Sequence, residues 1–170
     1  MSSSPNFERL YDEHASALFA FLLNLLRNEA DTRDVLQDTF IKLAQRPELL
    51  AGIREERAFL LRLAHNRAID CIRRSGTRAR NYEELAAEME SVFVDGTNSD
   101  EQIFRHKLSE ALGELPPDQR AVVHLKLWEG LTFEQIADTL EIPNNTAASR
   151  YRYGLDKLRE RLRPLYEEIK

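Results

Sequence analysis

Apolar side chains recur at helical spacing through the first part of the chain and predict three amphipathic helices. The helices span residues 7–27, about 32–45 and about 56–74. Asp31 is the expected N-cap of the second helix, and Pro47 ends that helix because proline cannot continue it. Three helices of this kind form a small all-α bundle.

A second apolar pattern starts at Ile103 and continues into a helix that Pro116 and Pro117 open. Proline is tolerated in the first turn, where its missing N–H costs no hydrogen bond. Thr132 and Gln135 then form a capping box, in which each side chain satisfies a backbone N–H of the helix start. The capping box marks the beginning of a further helix.

The stretch from Leu131 to Arg163 is typical of two helices joined by a tight turn. Pro143 ends the first helix, and Asn144 or Asn145 is the expected N-cap of the second. This arrangement predicts a helix-turn-helix. The buried side of its second helix is predicted to consist of Ala147, Tyr151, Leu155, Leu158 and Leu162.

The opposite face of that second helix carries amide, hydroxyl and cationic side chains. Asn and Arg contact base edges in DNA, and Arg and Lys bind phosphates. The helix is therefore predicted to be a recognition helix, and the alternative is an ordinary helical hairpin with a solvated polar face. The face consists of Asn145, Ser149, Arg150, Arg152, Lys157 and Arg159.

Charge is distributed unevenly, although the net charge of −5 alone would argue against nucleic-acid binding. Basic residues concentrate at 54–80 and 150–163, and acidic residues lie between them. Two basic regions separated by an acidic tether indicate two nucleic-acid contacts made by one chain. The predicted fold is all-α, with two small helical domains at 7–75 and 101–170 joined by a flexible acidic linker at 76–100.

Composition argues against several classes of site. The single cysteine, Cys71, forms no internal disulfide framework, and with four scattered histidines it gives no zinc-ligand spacing. We find no phosphate-binding glycine loop and no nucleophile–base pair, so no catalytic residue, metal ligand or cofactor is predicted, and an enzyme acting on nucleic acid is disfavoured.

The longest apolar run, 15–26, is too short to span a bilayer, and the N-terminus lacks the basic start of a signal peptide. We therefore expect a cytoplasmic protein without direct membrane insertion.

One face of the second predicted helix mixes acids with an apolar residue. Such a face is either simply solvated or a docking surface for a partner that carries basic residues. It comprises Asp34, Gln37, Asp38, Ile41 and Lys42.

Taken in order, the motifs resemble those of extracytoplasmic function (ECF) sigma factors, a group within the bacterial sigma-70 family. The region-2 helix that docks on the polymerase clamp has its counterpart in DTRDVLQDTFIKL. The next region-2 helix, associated with the −10 promoter element, has its counterpart in RAFLLRLAHNRAIDCIRR. Region 4, which reads the −35 element, is similar to LPPDQRAVVHLKLWEGLTFEQIADTLEIP followed by NTAASRYRYGLDKLR. The resemblance covers nearly the whole chain and is weakest at the linker.

The resemblance implies a transcription initiation factor that binds core RNA polymerase and directs it to specific promoters. Its partners would be the clamp helices of the largest polymerase subunit, the polymerase flap, and promoter DNA at the −10 and −35 elements. An anti-sigma factor is a further partner common in the family. No small-molecule substrate, cofactor or covalent chemistry is implied.

Three sets of contact residues follow from the resemblance. The −35 set is Asn145, Thr146, Ser149, Arg150, Arg152 and Tyr153. The −10 set is Ile53, Arg54, Arg57, Asn66, Asp70, Arg73 and Arg74. The polymerase set is Asp31, Asp34, Gln37, Asp38 and Ile41. The loop at 49–57 would hold an extruded base, and an alternative role for Asp70 is a salt bridge with Arg73 or Arg74 one turn on.

The sequence departs from the family pattern at a few positions. Arg33 stands where the family usually has an acid, which weakens the negative charge of the polymerase set. Phosphorylation of Thr32 or Thr39 would restore negative charge there. The other departures are Ala44 and Phe59 in place of tryptophans, Ala147 and Ala148 in place of a frequent Val-Lys pair, and Tyr153 and Gly154 in place of a frequent Arg-Ala pair.

A DNA-binding regulator that never binds polymerase is the alternative to a sigma factor. It would keep the same helix-turn-helix and use the first half of the chain for another ligand. The clamp-like motif DVLQDTF argues against it.

Overall fold

The computed structural model of the protein describes residues 6–75 and 99–169. Two compact units, Met1–Arg78 and Ala79–Lys170, make up the chain. All regular secondary structure in the described ranges is helical, so the predicted all-α class is confirmed. The linker predicted at 76–100 lies outside the described residues, except that 99 and 100 already belong to a helix. No helix in the described ranges has the length and apolar character needed to cross a bilayer.

Three α-helices pack against one another in the first unit, as the hydrophobic pattern predicts. They are α1 (Phe7–Leu26), α2 (Glu29–Gln45) and α3 (Glu56–Ser75), and a 3₁₀ turn at Pro47–Leu50 follows α2. Burying a leucine side chain stabilises a fold by about 1.5–3 kcal/mol, so a leucine-rich core is the main source of stability here. The core includes Leu10, Leu18, Phe21, Leu22, Leu43, Leu60, Leu61 and Ala64.

The turn between α1 and α2 explains why α2 begins earlier than predicted. Arg27 adopts a left-handed conformation (φ 58°) and closes α1. The Asn28 side chain then accepts a hydrogen bond from the Asp31 N–H at 2.9 Å. Asn28 is therefore the N-cap of α2, and the prediction of Asp31 at this position is wrong. Asp31 lies in the first helical turn, where its charge still complements the helix dipole.

The described part of the second unit consists of four α-helices. They are α4 (Ser99–Glu114), α5 (Pro117–Leu127), α6 (Phe133–Leu140) and α7 (Asn144–Ile169). Helix α7 packs against each of the other three, so it is the central element of this unit. Its core includes Ala111, Leu112, Leu115, Val123 and Leu158.

Helices α6 and α7 form the predicted helix-turn-helix. The Thr132 hydroxyl accepts a hydrogen bond from the Gln135 N–H at 3.1 Å, and the Gln135 side chain accepts one from the Thr132 N–H at 2.9 Å. The predicted capping box is therefore confirmed. Glu141 (φ 58°) closes α6 in the left-handed conformation, which directs the chain into the turn.

The start of α7 differs from the prediction by one or two residues. The Pro143 carbonyl accepts the first helical hydrogen bond, from the Ala147 N–H at 3.1 Å. The carbonyl of an N-cap residue makes this bond, so Pro143 occupies the cap position instead of Asn144 or Asn145. Both asparagines are exposed in the first turn of α7.

Arg120 connects α5 to the end of α4 through a buried side chain. Its Nη1 atom donates hydrogen bonds to the carbonyl oxygens of Leu112 (3.4 Å), Gly113 (3.4 Å) and Leu115 (3.0 Å). The last carbonyls of a helix have no partner within the helix, so this guanidinium stabilises the end of α4. Arg120 thereby links α5, which packs against α7, to the end of α4.

Gly154 lies where α7 packs closely on α5. A Cβ atom at this position would lie 2.7 Å from Val123 Cγ2, and the Val123 side chain is buried and β-branched. Gly154→Ala should therefore destabilise the second unit by about 1 kcal/mol, because the overpacking cost exceeds the better helix propensity of alanine. In a Val123→Ala background the same substitution should stabilise the unit, since the methyl group then fills space. Urea unfolding of the four proteins measures this, and an equal effect of Gly154→Ala in both backgrounds would contradict it.

Candidate nucleic-acid and polymerase interfaces

The −35 set lies within the first three turns of α7. A helix advances about 100° per residue, so its six members cover an arc of about 160°. Asn145, Arg152 and Tyr153 are exposed, and the other three are half-buried. The structure thus brings all six predicted residues together on one side of the helix.

Both arginines of the −35 set have defined contacts. Arg150 Nε lies 3.4 Å from the Asp118 Oδ2 atom on α5, and the Arg152 guanidinium lies 5.2 Å from the centre of the Tyr153 ring. The ion pair orients Arg150, and the cation–π contact orients Arg152. Asp118 lies outside the predicted set. An acid in the first turn of a helix is common for dipole reasons alone, so the sequence carried no signal for its contact with Arg150.

Aromatic and cationic contacts hold α6 in place beside α7. The Phe133 and Tyr151 rings meet edge to face with their centres 5.4 Å apart, and Lys126 Nζ lies 4.5 Å from the centre of the Phe133 ring. Ala137 on α6 and Ala147 on α7 are both buried, and their small side chains allow the two helices to approach closely. These contacts fix the orientation of α7, which carries the −35 set, relative to α6.

His124 lies in the core of the second unit, and its ring centre is 5.3 Å from that of Trp128. Burial lowers its pKa to about 3, because an apolar interior disfavours the charged imidazolium. The imidazole is therefore neutral at physiological pH and adds no charge to the surface of the helix-turn-helix.

The −10 set occupies the segment before α3 and the exposed side of α3. Gly52 adopts a φ of 76°, which turns the chain sharply just before this segment. Ile53 is half-buried, and the polar members are all exposed. Asn66, Asp70 and Arg73 are spaced by one turn each, so they follow one face of the helix. The exposed members are Arg54, Arg57, Asn66, Asp70, Arg73 and Arg74.

The polymerase set lies on the solvent side of α2. Asp34, Gln37, Asp38 and Ile41 are exposed, with Ile41 at 46%, and Asp31 is half-buried. Arg33, the residue that departs from the family pattern, forms an ion pair with Glu29 one turn earlier on the same helix. The charge of Arg33 is therefore offset locally, and the polymerase set keeps its net negative character.

The −10 and polymerase sets meet around one cavity between α2 and α3. The cavity has a volume of about 290 Å³. Helix α2 contributes acids of the polymerase set, and α3 contributes two members of the −10 set together with Arg67 and Cys71. The sequence did not predict this convergence, because it depends on how α2 packs against α3. The lining residues are Asp31, Asp34, Val35, Asp38, Arg67, Asp70, Cys71 and Arg74.

Thr32 and Thr39, at which phosphorylation would restore negative charge to α2, face the interior. Their exposures are 0% and 1%. The Thr32 hydroxyl donates to the Asn28 carbonyl at 2.7 Å, and the Thr39 hydroxyl donates to the Val35 carbonyl at 2.8 Å. Both hydroxyls are buried and hydrogen-bonded in the folded unit, which argues against phosphorylation at either position.

An apolar groove of about 770 Å³ adjoins the polymerase set between α1 and α2. Ile41 and Gln37 line it together with Tyr11, which is 51% exposed and packs edge to face on Phe40 at 5.1 Å. The polymerase set predicted from the sequence does not include Tyr11, because the helical period does not distinguish Tyr11 from the buried Leu10 beside it. The polymerase set is thus bordered by apolar as well as acidic surface.

Two family models match the chain, one in each unit. The model described as Sigma-70 region 2 matches residues 10–78, and the model described as Sigma-70, region 4 matches residues 111–160. The first match contains the −10 and polymerase sets, and the second contains the −35 set.

Curated relatives match over nearly the full chain. The ECF RNA polymerase sigma factor SigL of Mycobacterium tuberculosis is 33% identical over 160 residues, which cover 92% of this chain and 88% of the relative. The RNA polymerase sigma factor CarQ of Myxococcus xanthus is 35% identical, with 96% and 92% covered. The ECF RNA polymerase sigma factor SigX of Bacillus subtilis is 27% identical, with 96% and 87% covered.

A solved structure shares the fold. It is the sigma factor RpoE of Bartonella quintana, crystallised in complex with the anti-sigma factor NepR. Its TM-score is 0.72 at 21% sequence identity, with 93% of this chain and 97% of that chain covered. The family models in both units and the relatives above 30% identity lead to one assignment. The chain belongs to the ECF sigma factors of the sigma-70 family.

Proposed function

We propose that this sigma factor binds promoter DNA and core RNA polymerase through the −35, −10 and polymerase sets. As a member of its family, the chain is a transcription initiation factor that recognises promoters. The observation that best supports the residue assignment is the polar face of α7, where six hydrogen-bonding or cationic side chains lie on one side of a recognition helix.

At the −35 element, α7 would enter the major groove of duplex DNA. The N-terminal residues of a recognition helix contact base edges, which fits the exposed Asn145 and the half-buried Ser149. Arg150 and Arg152 would contact guanines or phosphates, and Asp118 would hold Arg150 in position. Each bidentate base contact contributes about 1–3 kcal/mol of discrimination between promoter sequences.

At the −10 element, the turn after Gly52 and the exposed side of α3 would hold the non-template strand. The half-buried Ile53 offers an apolar surface for an extruded base, and Arg54 and Arg57 beside it offer positive charge for the backbone. Asn66, with its exposed amide on α3, would add a hydrogen bond to a base edge.

Core polymerase would bind the acidic face of α2 through the clamp helices of its largest subunit. Asp34 and Asp38 supply negative charge, and Ile41 supplies an apolar contact that continues into the groove lined by Tyr11. Acidic residues around an apolar contact favour a partner surface that is basic with an apolar centre. The second unit would contact the flap of the polymerase.

Three further features of the role are inferred from the family. The proposed function consists of binding and strand capture, so it needs no covalent chemistry, and the chain would not be an enzyme. It would take place in the cytoplasm, where core polymerase and the chromosome are. Because RpoE of Bartonella quintana was crystallised with an anti-sigma factor, we also propose an anti-sigma factor as a partner of this chain.

Run-off transcription with core polymerase tests the proposal. The wild-type chain should direct initiation from a subset of a promoter library, and Asp34→Lys combined with Asp38→Lys should weaken its association with core polymerase by about tenfold or more. Asp12→Lys, an exposed charge change on α1 outside all three sets, is the control and should leave association unchanged.

Association of the chain with core polymerase, measured alongside transcription, distinguishes a sigma factor from a DNA-binding regulator. Failure of the wild-type chain to associate with core polymerase would favour the regulator. Equal association of the Asp34/Asp38 variant and the Asp12 variant would instead remove the polymerase set from α2.

A further inference from the structure

Glu13, His14 and Glu56 place three metal-ligating atoms together in the first unit. Glu13 and His14 are neighbours on α1, and Glu56 is the first residue of α3. His14 Nε2 lies 3.8 Å from Glu13 Oε2 and 3.8 Å from Glu56 Oε2. One ligand atom from each residue lies within 4.8 Å of the other two. The cluster is separate from the −35, −10 and polymerase sets.

We propose that Glu13, His14 and Glu56 bind a divalent transition-metal ion of the Zn²⁺ class. In a tetrahedral site with ligand distances of about 2.0–2.1 Å, neighbouring ligand atoms are about 3.4 Å apart. The two distances from His14 Nε2 exceed this by only a few tenths of an ångström. Water would complete the coordination, as it does where a protein offers three ligands.

The donor set selects the kind of ion. Imidazole nitrogen suits Zn²⁺, Ni²⁺ and Co²⁺, whereas Mg²⁺ and Ca²⁺ take oxygen ligands and several waters. A site with one imidazole and two carboxylates therefore favours a transition metal over the alkaline-earth ions. With a single nitrogen ligand and no cysteine thiolate, it should bind the ion more weakly than zinc sites built from cysteine and histidine.

Two of the three ligands are held in position by the fold. His14 is 14% exposed and Glu56 is 34% exposed at the side chain, and they lie on two helices, α1 and α3, that pack against each other. Glu13 is 52% exposed, so its side chain can move the short distance that coordination requires. The ordering cost of binding is therefore small.

A cation already lies against this cluster, which is an independent sign that it attracts positive charge. Arg9 Nη2 donates to both carboxylate oxygens of Glu56 at 3.1 and 3.2 Å, and Arg9 Nη1 donates to Glu13 Oε2 at 2.9 Å. The hydrogen bond and the charge of Glu56 raise the pKa of Arg9. The Arg9 side chain is 44% exposed, and exposed ion pairs contribute little to stability, so a doubly charged ion can displace it at small cost.

Metal binding here would join α1 to the beginning of α3. Glu56 directly precedes Arg57 and closely follows the turn at Gly52, so the ion would hold the segment that carries part of the −10 set. A ligand that binds only the folded state stabilises it by mass action. The first unit should therefore unfold at higher temperature when the ion is bound.

Titration of Zn²⁺ against a chromophoric chelator, with the metal-free full-length chain, tests the site. We expect one equivalent bound by the wild type, and affinity lower by at least about tenfold in both His14→Gln and Glu56→Gln. Arg9→Gln should bind more tightly, because the competing cation is gone. His106→Gln is the matched control, since His106 Nε2 also lies near a glutamate, at 3.0 Å from Glu110 Oε1.

The outcomes separate the proposed site from surface binding. Equal affinity of the wild type and both ligand variants, with all three folded by circular dichroism, would overturn the proposal. A loss in His106→Gln as large as in His14→Gln, or weaker binding by Arg9→Gln, would do the same. The visible spectrum of bound Co²⁺ should be lost in His14→Gln and retained in His106→Gln.

Discussion

A sigma factor carrying Arg150→Ala and Arg152→Ala should bind a promoter with an intact −35 element about 100-fold more weakly than the wild type, as holoenzyme with core polymerase. Each arginine is expected to make a contact with a base or phosphate, and loss of about 1.4 kcal/mol per contact corresponds to a factor of ten each. Promoter binding is measured by fluorescence anisotropy over a range of salt concentrations. The dependence on salt should become shallower, because fewer counterions are released from the DNA.

Arg161→Ala with Arg163→Ala, two positions outside the predicted DNA-contacting face, is the matched control for this variant. It removes the same charge from the same helix, and at 1.5 Å per residue the changes lie about 16 Å further along α7. Both arginines are exposed there, so folding should be unaffected. If the two double variants lose equal affinity, the effect is one of general charge, and the assignment of Arg150 and Arg152 to the −35 element fails.

Local rules explain the parts of the fold that the sequence predicted correctly. The capping box of Thr132 and Gln135 depends only on residues three positions apart, and both of its hydrogen bonds are present. The apolar period places Leu60, Leu61 and Ala64 on the inner side of α3, and all three are buried. Patterns of this kind are sufficient because the interactions that they describe lie within one helix or on one helix face.

Contacts between helices explain what the sequence could not predict. Asn28 and Asp31 are equally good N-cap residues, and the choice depends on where Arg27 ends α1. The ion pair of Arg150 with Asp118 joins residues on two different helices, and it exists only because α5 packs against α7.

The candidate metal site also depends on a contact between helices that the sequence does not show. Glu13 and Glu56 are far apart in the sequence, and neither stands in a spacing typical of metal ligands. Packing of α1 against α3 brings them together around His14. His14 falls at helical spacing with the apolar residues of α1, and a histidine in such a position is usually a core residue.

The second unit should lose stability steeply in mild acid because of His124. Its pKa is lowered to about 3 in the folded state by burial, whereas an exposed histidine in the unfolded chain has a pKa near 6.5. Below about pH 6.5 the unfolded state therefore binds a proton that the folded state does not, and unfolding is favoured. The full stability is present above about pH 6.5 and falls by close to 1.4 kcal/mol per pH unit as the pH is lowered toward about 3.

Trp128 allows this loss to be measured in the second unit alone. It is the only tryptophan in the chain, and its ring lies beside His124. Urea unfolding followed by tryptophan fluorescence between about pH 7 and pH 4.5 should show a decrease of roughly 3 kcal/mol in the wild type beyond that of His124→Leu. Carboxylates that titrate in this range affect both proteins alike, so the difference between them isolates the imidazole.

His106→Leu is the control for His124→Leu, because it removes a histidine from the surface of the same unit. His106 is 36% exposed at the side chain and lies beside Glu110 on the surface of the unit. Its replacement should leave the steep acid dependence of the wild type in place. Parallel pH profiles of the wild type and His124→Leu would mean that the buried imidazole takes up a proton without unfolding. The core of the helix-turn-helix would then have to admit water or a partner for the imidazolium.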